Sequence, residues 1–478
     1  MRLVFSGPLI HTLDYRTIQI LPRALLAVAD GKIAWLIKDV VPPSPSDNTL
    51  HTAAAGKGWN LDASDSKLHK LQAGEFILPG FIDTHTHAPQ YPNLGRGQDF
   101  ELLDWLDNVT FPTESRFKDA AYAKRTYQSV VRRSLDSGVS LIRLTSAIAE
   151  PWSQTTTSCF FSTLHEEGTN ILADACHKLG LRAFVGKVNM DSNAPAHYCE
   201  PSAVASVAAT RSTVSHIQSL TAEPSTALVQ PIITPRFAIT CTSPLLKALG
   251  DLASEHKEIP IQTHISENPS EVAFAKVLFP ESKSYTDIYE RHGLLRENTI
   301  LAHGCHLDSH LPEPGADDGP VSDSELELIK MRGAGLSHCP TSNINLRSGV
   351  ARVGEWLDRG LKVALGTDVS GGYSLSMLSA IRHASFCSKL VAMDAAKKTL
   401  KPPSASNGDA IALDALLFLA TLGGAQVCNI ESKVGNFTEG KRFDALLVST
   451  REDTGNPNMW VDPEELEEIA LEGVACRS

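Results

Sequence analysis

From residue 74 to about 393, short apolar runs alternate with longer stretches whose apolar residues recur at helical spacing. The runs are FILPGFIDTHTH, RAFVGKVNM, LVQPIITP, IPIQTHIS, TILAHG, GAGLSHC and KVALGTD. Segments such as AAYAKRTYQSVVRRSLDSG, TNILADACHKLG and SPLLKALGDLASEHK separate them. Runs this short and this apolar read as strands covered on both faces, and strand followed by helix, repeated, predicts a parallel sheet with helices outside it. One further run near 140–162 brings the strands to eight, the number that closes a (β/α)8 TIM-type barrel.

The ends of the chain are patterned differently. LVFSGPLI and LLAVADGKIAWLI before residue 74, and FDALLVST at 443–450, read as short strands and turns. The expected division is therefore a barrel over 75–400 and a small β-sandwich domain built from both ends. Residues 1–74 supply one part of that domain, and 401–478 supply a last barrel-associated helix and the other part. Pro42 to Lys67 and Leu311 to Ser324 are rich in Pro, Gly, Ser and Asp and read as surface loops.

Composition narrows the function classes. With 42% hydrophobic and 21% charged residues the chain is of ordinary globular type. The net charge of −12 is spread over many short segments, with no basic run to follow a phosphate backbone, so nucleic acid is not an expected partner. Gly7 and Pro8 interrupt the first twenty residues, and no apolar stretch is long enough to span a bilayer, so no membrane partner is expected either. The nine cysteines form no CxxC pair and read as reduced thiols of a cytoplasmic protein.

The candidate chemistry sits at the ends of the apolar runs. His85 and His87 are two apart in a strand and so project from one face, at the end of a barrel where active sites assemble. IPIQTHIS ends in His264, TILAHG in His303 and KVALGTD in Asp368. Imidazoles with one carboxylate suit a divalent metal such as zinc and leave a coordination position for water. Two competing signatures fail. HKE at 256–258 has no PCxxC to complete a zinc deaminase of the other class, and His165-Glu166-Glu167 lacks the second histidine of HExxH.

The chain resembles the amidohydrolase superfamily of metal-dependent barrel hydrolases and, within it, the guanine deaminase family. The resemblance runs from about residue 75 to 445. It rests on PGFIDTHTHAPQY, LLDWLDNVTFPTESRF, RAFVGKVNMD, PIITPRFAITC, THISEN, AHGCHL, SHCPTSN, GTDVSGGYSLSML, ATLGGAQ and GNFTEGKRFDALLV. It implies that His85, His87, His264 and Asp368 hold one zinc per subunit, that Glu267 is the proton shuttle, and that His303 contacts the attacking oxygen. Asp368 would take a proton from the water. Gln90, Arg236 and Phe237, with His264, Glu267 and Asp368, would contact guanine, and the subunits would pair as a homodimer. LVQPIITP has no lysine to bridge a second metal, hence the expectation of a single zinc. Asp83, on the same face as the two histidines, is expected to hydrogen-bond a ligand imidazole.

Two segments depart from the family pattern. About fifteen residues, SLIRLTSAIAEPWSQ, separate Val139 from Thr155; they either loop out at the bottom of the barrel or come from an erroneous gene model. The chain also ends in DPEELEEIALEGVACRS, without a clear last strand. The residues therefore leave open a related hydrolase acting on another amino-heterocycle, by deamination or dechlorination, and a non-catalytic scaffold.

Overall fold

A computed structural model describes residues 2–40, 48–136, 141–143, 155–308, 324–399 and 410–449. Phe81–His87, Thr155–Phe161, Arg182–Gly186 and Val229–Pro231 form a four-stranded parallel sheet in sequential order. Ile261–Ile265, Thr299–His303, Gly335–His338 and Lys362–Leu365 form a second. Every residue of the first two strands is buried, which is why they lack the alternation of a half-exposed strand. A single parallel bridge, Ile233 to Ile261, links the sheets along one seam. Along the other, Asp368 N donates to His85 O at 2.9 Å and His87 N to Val369 O at 3.0 Å.

Helices lie between successive strands, and their ends follow from local chemistry. Glu166–Leu179 stops at Gly180, whose φ of 75° is the left-handed conformation a helix C-terminus favours. Asn268 and Glu271 cap Pro269–Leu278 reciprocally. Ser243–Glu255 buries Leu245, Leu246, Leu249 and Leu252, each contributing about 1.5–3 kcal/mol relative to exposure.

Gly250, on that same buried face, allows the helix to approach the chain at His292. A Cβ there would lie 1.9 Å from the His292 carbonyl oxygen. Alanine gains about 0.8–1.0 kcal/mol of helix propensity over glycine, but overpacking costs about 1–3 kcal/mol, and here the obstacle is backbone. Gly250→Ala is therefore expected to destabilise the protein by about 1–2 kcal/mol. Thermal unfolding checks it, and a melting temperature at or above wild type would show that the chain at 292 yields freely.

Both chain ends enter one seven-stranded mixed sheet, in the order Lys32–Ile37, Thr17–Ala29, Arg2–Asp14, Glu75–Pro79, Ala445–Ser449, Leu141–Arg143, with Ser66–Lys70 paired to Arg2–Asp14. Asp30 and Gly31, both at positive φ, make the tight turn that the Asp-Gly pair in LLAVADGKIAWLI signals. Part of the segment read as a loop from Pro42 is ordered. Thr49–Gly56 is a helix and Ser66–Lys70 a strand, because Ala54, Trp59 and Leu61 bury against Trp35.

The expectation for SLIRLTSAIAEPWSQ also changes. Leu141–Arg143 pairs antiparallel with Leu446–Val448 at the edge of the mixed sheet. Thr155 still opens the second parallel strand opposite Phe81. Residues 144–154, all of the expected loop from Leu311 to Ser324 except Ser324 itself, and the DPEELEEIALEGVACRS tail lie outside the described residues. No helix among the described residues is long and apolar enough to cross a membrane.

Candidate active site

The C-terminal ends of the parallel strands bring the expected residues together. His85 and His87 leave the first strand with ring centroids 5.0 Å apart, and His264, from the fifth, lies 4.7 Å from His85 and 5.1 Å from His87. His87 Nε2 and His264 Nε2 are 3.1 Å apart, and Asp368 Oδ1 is 3.2 Å from His85 Nε2 and 3.4 Å from His87 Nε2. One donor atom each from His85, His264, His303 and Asp368 falls within 4.8 Å of the others. That group includes His303, expected only at the attacking oxygen, and not His87, an expected ligand, whose Nε2 nevertheless lies 3.4 Å from Asp368 Oδ1. His303 and Asp368 hold φ of 77° and 45°, a strained conformation costing on the order of 1–3 kcal/mol each.

The donor set fits one divalent ion. Nitrogens held tetrahedrally at about 2.0–2.1 Å from a metal lie about 3.4 Å from one another, and the separations of His87 from His264 and of Asp368 from His85 and His87, 3.1, 3.2 and 3.4 Å, are close to that. Nε2 of His85 and of His303 are buried without a well-aligned hydrogen bond, and face Asp368 instead. Two of the rings are held from behind. His264 Nδ1 lies 2.6 Å from the Arg236 carbonyl oxygen, and His303 Nδ1 lies 2.8 Å from Asn343 Oδ1. Donation from Nδ1 leaves the Nε2 lone pair turned into the cluster.

Asp83 does not contact an imidazole ring, contrary to expectation. Its Oδ1 accepts from His85 N at 3.3 Å and Thr367 N at 3.0 Å, and its Oδ2 from Thr367 Oγ1 at 2.5 Å. It ties the first strand to the turn that carries Asp368. Burial pushes its carboxyl up to about 7 against these hydrogen bonds. Asp83→Asn is expected to cost about 1 kcal/mol of stability and to change metal affinity less than tenfold. Wild-type melting with a larger loss of affinity would sink this tethering role.

Charge within the site is set by burial and by close neighbours. Burial lifts Glu267 to about 7, with Asp368 adding to that effect and His303 opposing it. Burial disfavours the His303 imidazolium, but Glu267 and Asp368 outweigh it and hold the ring above its ordinary value. Asp368 is held well below its ordinary value despite burial, because His85 and the other imidazoles favour the carboxylate. Glu267 Oε1 accepts from Ser348 Oγ at 3.0 Å and its Oε2 lies 3.3 Å from His303 Nε2.

A cleft opens onto this cluster. His87, Gln90, Arg236, Phe237, His264, Glu267 and Asp368 line it, so every residue expected to contact substrate is present, while His85 and His303 are not among the lining residues. Leu102, Trp105, Leu106 and Leu346 complete the walls; the first three belong to LLDWLDNVTFPTESRF, quoted above without assigned roles. Asn343, in SHCPTSN, was likewise unassigned. His256 pairs with Glu258 on the surface at the end of its helix, and His165 precedes a helix, so neither failed signature forms a site.

The family model for the amidohydrolase family matches residues 76–471. A Schizosaccharomyces pombe protein described as a probable guanine deaminase is 44% identical over 451 residues, covering 94% of this chain and 76% of that one. The guanine deaminase of Mus musculus is 38% identical over 452 residues, covering 94% and 87%. The crystal structure of guanine deaminase from C. acetobutylicum with bound guanine in the active site superposes with a TM-score of 0.77 at 31% identity, over 98% of this chain and 95% of that one. This chain belongs to the amidohydrolase family and, within it, to the guanine deaminases.

Proposed function

We propose that the protein hydrolyses guanine at C2, taking up water and releasing xanthine and ammonia, with one zinc ion per subunit. The observation that carries this reading is a single cleft. Its floor carries His87, His264 and Asp368, its wall carries Gln90, Arg236 and Phe237, and the relatives that match most of the chain's length are described as guanine deaminases or probable guanine deaminases.

His85, His87, His264 and Asp368 would hold the metal. When bound, the ion supplies Lewis acidity that makes hydroxide available from water near neutral pH. Asp368 accepts the proton that water gives up. Glu267, lifted to about 7, is poised to gain and lose a proton at working pH, so it can protonate the ring, take the proton of the added hydroxyl and pass it to the departing amine, and then be reprotonated with the proton that Asp368 had accepted. His303, whose Nε2 lies 3.3 Å from Glu267 Oε2 and 3.8 Å from Asp368 Oδ2, is placed to hydrogen-bond the oxygen that adds. Phe237 offers a flat apolar face to the ring, and Arg236 a donor-only guanidinium to guanine's acceptor edge. Lys187, buried beside the strand ends, is engaged by Glu200 at 2.6 Å, which supports a single-metal site.

The same reading takes the two parallel sheets as arcs of one (β/α)8 barrel over 75–400, supported by the hydrogen bonds along both seams. The mixed sheet then belongs to a small β-sandwich domain drawn mainly from 1–74 and 401–478, to which Glu75–Pro79 and Leu141–Arg143, from within the range expected for the barrel, also contribute strands. Phe386, Leu390 and Met393 form an exposed apolar stripe on one helix, which supports a homodimer. The eight cysteines among the described residues are free thiols, which supports a cytoplasmic location. Ammonia release by purified protein tests the function, with guanine, adenine, cytosine and a triazine compared beside elemental analysis for zinc. Turnover of guanine is expected. Turnover of another ring alone, or of none by zinc-loaded protein, would overturn it.

A further inference from the structure

The carboxylate of Glu114 lies directly behind the substrate cleft, fully buried and outside its lining. Three polar side chains from distant parts of the chain converge on it. Arg236 Nη1 donates to Oε2 at 2.6 Å and Nη2 to Oε1 at 3.2 Å; Gln90 Nε2 donates to Oε1 at 2.8 Å; Tyr198 OH donates to Oε2 at 2.7 Å. Two of those three residues line the cleft.

We propose that Glu114 is the residue that sets substrate specificity, by turning only hydrogen-bond donors of Gln90 and Arg236 toward the ring. This inference rests on the reading of the cleft as a purine site.

The orientation of Gln90 follows from its two neighbours. Its Oε1 accepts from Ser370 N at 3.1 Å while its Nε2 faces the carboxylate. Reversing the amide would set oxygen against carboxylate and NH2 against N–H, losing both bonds and adding two repulsions. One amide hydrogen therefore remains for the cleft. The Arg236 guanidinium has five N–H donors, of which Glu114 takes two, and no acceptor. Its charge, buried with it, is matched by Glu114, so it keeps its place beside the apolar wall without a second anion. The polar wall made by these two residues thus presents donors and no acceptor. It suits a ring edge of acceptors, such as O6 and N7 of guanine, and opposes one carrying an exocyclic NH2.

Neutralising Glu114 would undo this arrangement in a definite direction. An amide at 114 keeps its oxygen toward Arg236 Nη1 and Tyr198, the two shortest bonds. Its NH2 then meets the Gln90 NH2, and Gln90 must turn its oxygen inward or lose its hold. A side chain that donated would then accept.

The discriminating pair is guanine and 2,6-diaminopurine, which carry the same 2-amino group and the same N7 acceptor and differ at position 6 as acceptor and donor, with N1 reversed in step. For Glu114→Gln, the ratio of kcat/KM for guanine over 2,6-diaminopurine is expected to fall at least tenfold, mainly through KM, at unchanged zinc content. Glu114→Asp, which keeps an acceptor-only anion, is expected to restore part of the ratio. If Glu114→Gln does not fold, Gln90→Ala decides, because there Glu114 stays paired with Arg236 and the ratio is expected to fall. A ratio unaltered in Glu114→Gln, or in Gln90→Ala where that is the variant available, would overturn the assignment. A wild-type preference for guanine that survives these changes overturns it alone, whereas wild-type protein that turns over neither purine overturns it together with the function it rests on.

Discussion

Glu267→Gln is expected to lower kcat on guanine by about 10²–10⁴-fold, the range for losing a positioned general acid and base. KM and zinc content are expected to change little. The amide has nearly the shape of the carboxylic acid, so it keeps the contact with Ser348 Oγ and still fills the wall of the cleft. What it cannot do is carry a proton. The native side chain is suited to that task because burial has raised it to about 7, where both protonation states are populated. Steady-state kinetics with elemental analysis decides the matter. A kcat within a factor of a few of wild type, at full metal content, would remove Glu267 from the proton path.

Stripping the metal with a chelator is expected to cost at least about 10³-fold in turnover, since Lewis-acid stabilisation is worth several kcal/mol and each 1.4 kcal/mol is tenfold. Adding zinc back should restore it. The melting temperature should fall with the metal and recover with it, because an ion bound only by the folded state stabilises that state. The geometry makes the direction of both effects plain. His87 Nε2 and His264 Nε2 face each other at 3.1 Å, and His85 and His303 present buried nitrogens to one carboxylate. Without a cation, these buried groups lose much of their compensation. Full activity in protein shown by elemental analysis to be free of metal would remove the ion from the chemistry.

The strand-end residues were legible in the sequence because each interrupts an apolar run that otherwise has no use for a titratable group. Two-residue periodicity then places His85 and His87 on one face. Resemblance, and not periodicity, supplied Gln90, Arg236 and Phe237. What stayed hidden depends on contacts far apart in the chain. Glu114 looks like a solvated carboxylate on a short helical turn, yet it is buried by Arg236, 122 residues away, and Tyr198, 84 residues away. Asp83 pairs with Thr367 across 284 residues, so its partner could not be read from neighbouring letters. The helix Thr49–Gly56 was missed because Pro and Ser around it outweighed a run of three alanines whose burial depends on Trp35. The edge strand Leu141–Arg143 was missed because its partner lies near the other end of the chain.

The pairing of Glu75–Pro79 with Ala445–Ser449 also bears on how the protein is made. A ribosome adding about 5–20 residues per second needs roughly 20–70 s to travel from one strand to the other. Throughout that interval Phe76, Ile77 and Leu78, all buried in the finished molecule, have their later partner still unsynthesised. The parallel strands can assemble as they emerge, but this sheet closes only after Ala445–Ser449 has been made. Slower elongation lengthens the time for which an apolar strand edge is open to other nascent chains, so yield of soluble protein should be limited by crowding among unfinished chains before it is limited by the stability of the finished one.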